Sequence, residues 1–436
     1  MPPAEARPSR TSLAATTIAV LASAAITGLL IGLVENGGRA QYDQDVYHLV
    51  AIATFAEQWP TPDLRDYPSA TSPGYHLLLS LPYRLGLDGT TALRCLAWSF
   101  TALLIGTLAG WLTRQRGPAA ALLVAPLLGS LYVSSAGAWL LPDDAAWWLV
   151  AAVLILAMRP AWRGSTPWLA GAALLGLVLV RQNHLWAALP MVVAGWSWSR
   201  GEADKGWLPT RGWSRPIAMA LACGPAVLAV GGLVALWGGL TPPSFQLHVD
   251  GPNPAVPATI LALLGVFGVF YLGWLTLDPD ADRYADQDAG PKRRLLPTPL
   301  EWAGGLGALV IAAAPATSFD ADAGRWSGIY NLVRMLPTVA ERSPLMIVLA
   351  TVGGLALARW LRLLPRHERW VLGSAMLGFG LAMSSSGLAW QRYYEPMLLI
   401  WLALAAARSP RPGRVAWVGP VMLALLLGGV TIATYT

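Results

Sequence analysis

Uncharged apolar stretches long enough to cross a bilayer recur along this chain and leave it few folds. Ser12 to Val34 is one. Cys95 to Leu112, Pro118 to Pro142, Pro216 to Leu247, Ala255 to Leu277, Trp302 to Phe319, Trp370 to Gln391 and Val415 to Thr436 are others. A bilayer core takes about 20 mostly apolar residues per helix. Shorter apolar runs fit between charged turns: Ala145 to Met158, Gly164 to Val180, Leu185 to Ser199, Ser343 to Ala358 and Pro396 to Ala407. Together they predict an all-α polytopic membrane protein of about 13 transmembrane helices, a single integral domain over residues 1–436. Only 12% of the 436 residues are charged, against about one-quarter in a soluble domain. That excludes a cytosolic enzyme and a disordered chain. Two cysteines exclude a disulfide-built scaffold. The first apolar run, preceded by Arg7 and Arg10, exceeds the roughly 7–15 residues of a signal-peptide core, so it reads as a span.

Basic residues orient the spans. With the N-terminus in the cytoplasm and alternating sides, most of the 30 basic residues fall on inner segments, among them Arg114, Arg116, Arg359, Arg408 and both lysines. That is the bias expected of cytoplasmic loops. The net charge of +6 therefore describes topology, and no basic stripe interleaved with aromatics suggests nucleic acid. Cys95 falls near the outer face and Cys223 near the inner, so they are not expected to pair.

Two outer loops are long: residues 35–91 and 319–342. In the first, Asp43 to Trp59 reads as an amphipathic interfacial helix with Val46, Leu49, Val50, Ala53 and Ala56 on its apolar face. Asp43 or Asp45 would sit at its N-terminus, where carboxylates are favoured. A Pro-broken stretch and a second helix, 74–84, follow. The inner segments Arg200 to Arg215 and Asp278 to Pro297 read as tethers. No internal repeat suggests a transporter of two homologous halves.

The outer side gathers chemistry. Tyr42 to His48 places two carboxylates and an imidazole within about a helical turn, where a carboxylate can take a proton from a hydroxyl or simply cap a helix. Asp143 and Asp144 open a span; acids there face a cavity or cap the helix. Arg181-Gln182-Asn183-His184 interrupts an apolar run, and an arginine flanked by amides can clamp an anion or form a polar turn. Arg392-Tyr393-Tyr394 is a second outer arginine site, or a snorkelling anchor in an aromatic belt. Arg325, Arg334 and Arg342 lie in the second loop as a headgroup or acceptor surface, or as a solvated loop. No metal-ligand spacing, P-loop or nucleophile elbow appears. Ionisable groups on one side, rather than at the midplane, suit an enzyme drawing a lipid-borne substrate from the outer leaflet better than a channel or symporter.

Four of these blocks carry a resemblance: Tyr42 to His48, then Thr71-Ser72-Pro73-Gly74-Tyr75, then Arg181-Gln182-Asn183 to Trp186, and finally Arg392-Tyr393-Tyr394 to Pro396. In this order the chain resembles polyprenyl-phosphate-sugar-dependent glycosyltransferases of the GT-C fold. It is most similar to the lumenal α-1,2-glucosyltransferases that add the terminal glucose to the eukaryotic lipid-linked oligosaccharide. Its Ala-, Arg- and Trp-rich composition points to a bacterial relative in the plasma membrane. The resemblance implies an inverting hexosyltransferase acting at the outer face on a polyprenyl-phosphate donor and a glycan, lipid or protein acceptor. Arg392 and Arg181, with His48 and Tyr393, would bind the donor phosphate. Asp143, Asp144, Gln182, Asn183 and Tyr394 would bind sugar or acceptor. No cofactor is required, although a weakly bound divalent metal is compatible. The family has adjacent acids where this chain has Asp43-Gln44-Asp45. Anchoring on Tyr42 and His48 makes Asp45 the expected base and Asp43 the alternative. A transporter or flippase of lipid-linked sugars is the other reading, and it requires a polar path to the inner leaflet.

Overall fold

The computed structural model describes residues 9–159, 161–199, 212–248, 251–278, 293–318, 328–387 and 389–436. Most of both expected tethers, Lys205, Lys292 and Arg325 lie outside them. Among the described residues the regular structure is helical; the β contribution is two isolated bridges.

Six helices among the described residues are long and apolar enough to cross a membrane: Arg10–Leu33, Thr90–Arg116, Ser214–Trp237, Val256–Leu275, Pro344–Leu363 and Arg414–Tyr435. A seventh forms if Pro118–Gly129 and Leu131–Ala138, bent by 74°, are one span. The bend falls at Ser130, whose extended backbone separates the two helices. The other expected spans are shorter or more charged. Asp143–Ala157, Thr166–Val180 and Pro299–Ala313 have 15 residues each, Glu395–Arg408 has 14, and Ala188–Trp198 has 11. Apolar run length does not separate a helix that meets lipid from one that meets other helices. Glu395–Arg408 shows why: its residues from Glu395 to Ala407 are all buried, as a helix apolar all round must be.

Where helices cross closely, glycine is the reason. A Cβ on Gly353 would lie 1.8 Å from the Leu261 carbonyl oxygen, and one on Gly265 would lie 2.3 Å from that of Leu349. Small residues let such backbones approach. Gly353→Ala is therefore expected to destabilise the protein by about 1–3 kcal/mol, read as a lowered midpoint of thermal unfolding in detergent. Gly307→Ala is the control, since a Cβ there meets nothing within 4 Å.

The helix Glu395–Arg408 runs between the two ends of the bundle. The end at Arg408 holds more than tethers. Arg359 donates to both Glu301 carboxylate oxygens at 3.0 and 3.2 Å, and Arg362 reaches the same group at 3.1 Å. Arg408 pairs with the buried Glu368, and Arg116 donates to the Ala407 and Ser409 carbonyls. Arginines that mark a membrane border in the sequence are here partly spent on buried carboxylates. The sequence could not pair residues so far apart.

Candidate functional site

The opposite end begins with residues 38–58, which are continuously helical. The helix Gly38–Asp43 passes through a π turn, Gln44–His48, into the helix Leu49–Gln58. The expectation that Asp43 or Asp45 opens this helix is not met: helical structure begins at Gly38, and both acids sit within it. The π turn carries a Leu49 N–H to Gln44 carbonyl bond and adds a residue to the turn. This shifts the phase. Asp43, Gln44, His48, Ala51, Ile52 and Phe55 are buried, while Asp45, Val46 and Val50 are exposed. Of the expected apolar face, Val46 and Val50 are exposed, Leu49 and Ala53 half-buried and Ala56 buried.

Asp43 faces the last of the four sequence blocks. Its carboxylate accepts from Arg392 Nη1 at 2.7 Å and lies 3.3 Å from Arg39 Nε. Arg392 also donates to the Tyr393 hydroxyl at 3.0 Å and lies over both the Trp390 and Tyr393 rings, 5.0 Å from each centroid. Arg181 lies 5.3 Å from the same Tyr393 ring and donates to Asp143 at 2.8 Å. One tyrosine ring thus carries two guanidinium groups, each tethered by its own aspartate. Burial pulls Arg392 toward neutrality. Tyr393, Asp143 and Asp43 more than reverse this, so its affinity for the proton is raised. The group stays cationic, and its Nε–H is buried without a partner.

His48 borders this cluster. Its Nδ1 lies 2.9 Å from His76 Nε2, with the rings stacked at 5.2 Å. Burial holds His48 well below the usual imidazole range, and His76, Arg181 and Arg392 add to the effect. Burial alone holds His76 at about 3. Burial thus favours the neutral form of both rings.

Other expected site residues lie elsewhere. Asp45 is exposed and accepts from the Gln44 amide at 2.7 Å. Neither Asp143 nor Asp144 caps the helix Asp143–Ala157; Pro142 holds the cap position without a side-chain bond. Asp144 turns inward and accepts from the Thr101 hydroxyl at 2.5 Å. Asn183 is exposed, and Tyr394 is fully buried with its ring against Phe379. Arg342 donates to the Ala313, Ala314 and Ala340 carbonyls, closing a helix end rather than offering a free surface.

Gln182 is a bracket. Its amide oxygen accepts from the Ser72 N–H and hydroxyl at 2.8 and 2.9 Å. Its nitrogen donates to the Ala70 and Leu240 carbonyls at 2.9 and 2.8 Å. This amide fixes the Thr71–Gly74 turn, and Gly74 admits the backbone beside it, since a Cβ there would meet Leu179 O at 2.6 Å. Gln182→Leu is expected to destabilise by about 2–4 kcal/mol through the orphaned backbone groups. An unchanged unfolding midpoint would assign Gln182 to ligand binding instead.

His76, Arg39, Gln44 and Arg94 escape sequence reasoning. Arg94 donates to Gln44 at 2.8 Å, which holds the π turn against the helix Thr90–Arg116. His76 lies 28 positions from its partner in a helix with no other chemical signal. No protein-family model matches this chain, and neither does a curated protein or a solved structure.

Proposed function

We propose that this protein is a membrane glycosyltransferase that moves a hexose, with glucose favoured, from a polyprenyl-phosphate donor to an acceptor at the non-cytoplasmic face. The fuller topology of about 13 spans and the GT-C architecture belong to the same proposal. The observation that carries it is the joining of Asp43, Arg392, Tyr393, Arg181 and Asp143 into one polar cluster at one end of an apolar bundle.

The chemistry follows from that cluster. The acceptor oxygen attacks the anomeric carbon as the bond to the phosphate oxygen breaks, and in-line attack inverts that carbon. The acceptor proton passes to a carboxylate, for which Asp43 replaces Asp45 as the better-placed base. The lipid phosphate leaves with its electron pair and needs positive charge more than a proton. Arg392 and Arg181 supply that charge, and one preorganised donor is typically worth about 3 kcal/mol at the transition state. In the described state Arg392 holds Asp43. A donor phosphate competes for the guanidinium and frees the carboxylate to act as a base.

The test is transfer in vitro from polyprenyl-phosphate glucose by the full chain in lipid. Full activity in an Asp43→Ala, Asp45→Ala double variant refutes the assignment. The flippase reading takes second place because Met397–Ala407, which joins the two ends, carries no ionisable side chain.

A further inference from the structure

We propose that His76 is a positioning residue. It fixes His48 in the neutral tautomer with hydrogen on Nε2, so that His48 donates to a lipid phosphate, the diester of the donor or the monoester left after transfer, beside Arg181 and Arg392. The identity of the ligand rests on the donor reading above; the tautomer rests on the contact between two buried rings and on the unpartnered His76 Nδ1.

One hydrogen occupies the 2.9 Å contact between His48 Nδ1 and His76 Nε2, and for two neutral rings there are two ways to place it. If His48 donates, the hydrogen of His76 must sit on Nδ1. That atom is sealed from solvent and has no partner, and His76 is 0% exposed. Genuinely orphaned buried N–H groups are rare in native structures. If His76 donates, its Nδ1 is bare and His48 carries its hydrogen on Nε2.

The surroundings of His48 agree with the second placement. Arg181 and Arg392 both act on its charge, and the Arg392 Nε–H is buried without an acceptor. His48 keeps 8% of its surface, so Nε2–H has an opening where the ring of His76 has none. An imidazole N–H beside two guanidinium groups that act on its charge is a set suited to an anion with several oxygens. The imidazole adds a directional donor to the anion without adding charge.

The experiment uses the full chain in lipid nanodiscs with ¹⁵N-labelled histidine. His48→Gln identifies the His48 signals by their loss. The expected spectrum shows His48 protonated on Nε2 and bare on Nδ1 at neutral pH. Polyprenyl monophosphate and inorganic phosphate are titrated separately. The lipid is expected to bind and to perturb the Nε2–H signal, with the free ion weaker at the same site. His76→Leu is expected to weaken lipid-phosphate binding about tenfold. His76→Gln, which restores an N–H donor, is expected to recover it; this variant also guards against a Leu variant that fails to fold. A His48 hydrogen on Nδ1, or an imidazolium at neutral pH, overturns the tautomer. The Nε2–H tautomer with neither phosphate bound overturns the anion assignment. Sugar transfer accompanied by the wrong tautomer removes the dyad and leaves the transferase reading intact.

Discussion

Asp43→Asn is expected to lower sugar transfer by about 10²–10⁴-fold, the usual range for loss of a positioned base, while Asp45→Asn stays near the wild-type rate. The two acids stand two residues apart, yet their surroundings differ. Asp43 is buried against Arg392 at 2.7 Å, whereas Asp45 is exposed and satisfied by its neighbour Gln44. Asparagine keeps the shape of the side chain and an acceptor for Arg392, so folding is preserved while proton affinity is lost. The check is the initial rate with polyprenyl-phosphate glucose, with thermal unfolding measured on the same samples. A large loss in the Asp45 variant with none in the Asp43 variant would return the role to Asp45.

Arg392→Gln is expected to act on both activity and stability. Removing one preorganised donor from a charged leaving group costs about 10²–10³ in kcat. Asp43 would keep only Arg39, whose side chain is 67% exposed. Removing one member of a buried pair typically costs about 3–5 kcal/mol; the quarter-exposed side chain of Arg392 places this case toward the lower end. The double variant Asp43→Asn, Arg392→Gln is expected to recover much of the stability and none of the activity. Arg392→Lys keeps the charge but not the stack on Trp390 and Tyr393, nor the fork geometry. It is expected to fall between wild type and Arg392→Gln. Equal stability of the single and double variants would show that the Asp43–Arg392 contact carries no coupling.

Much of the site was legible because polar residues are rare in this chain and each stands out. The blocks holding Asp43, Asp143, Arg181 and Arg392 are visible as interruptions in apolar sequence, and the structure brings these residues together. The choice between Asp43 and Asp45 was not legible, because a π turn shifts the helical phase and leaves no mark in a 3.6-residue pattern. Gln182 was visible as a polar interruption, but its role depends on Ser72, Ala70 and Leu240, which no local reading supplies. The helical class followed from run length; the number of crossings did not, since the run Met397–Ala407 is wholly apolar and yet is wrapped by protein.

Asp43 and Arg392 are 349 positions apart in the chain. During synthesis the acid leaves the ribosome long before its guanidinium partner exists. A nascent or truncated product therefore lacks the clamp, however well its early helices insert. In such a chain Asp43 keeps only the exposed Arg39, 3.3 Å away, as its cationic partner. Supplying the missing C-terminal helices as a separate polypeptide should restore function only if they dock closely enough to close that contact.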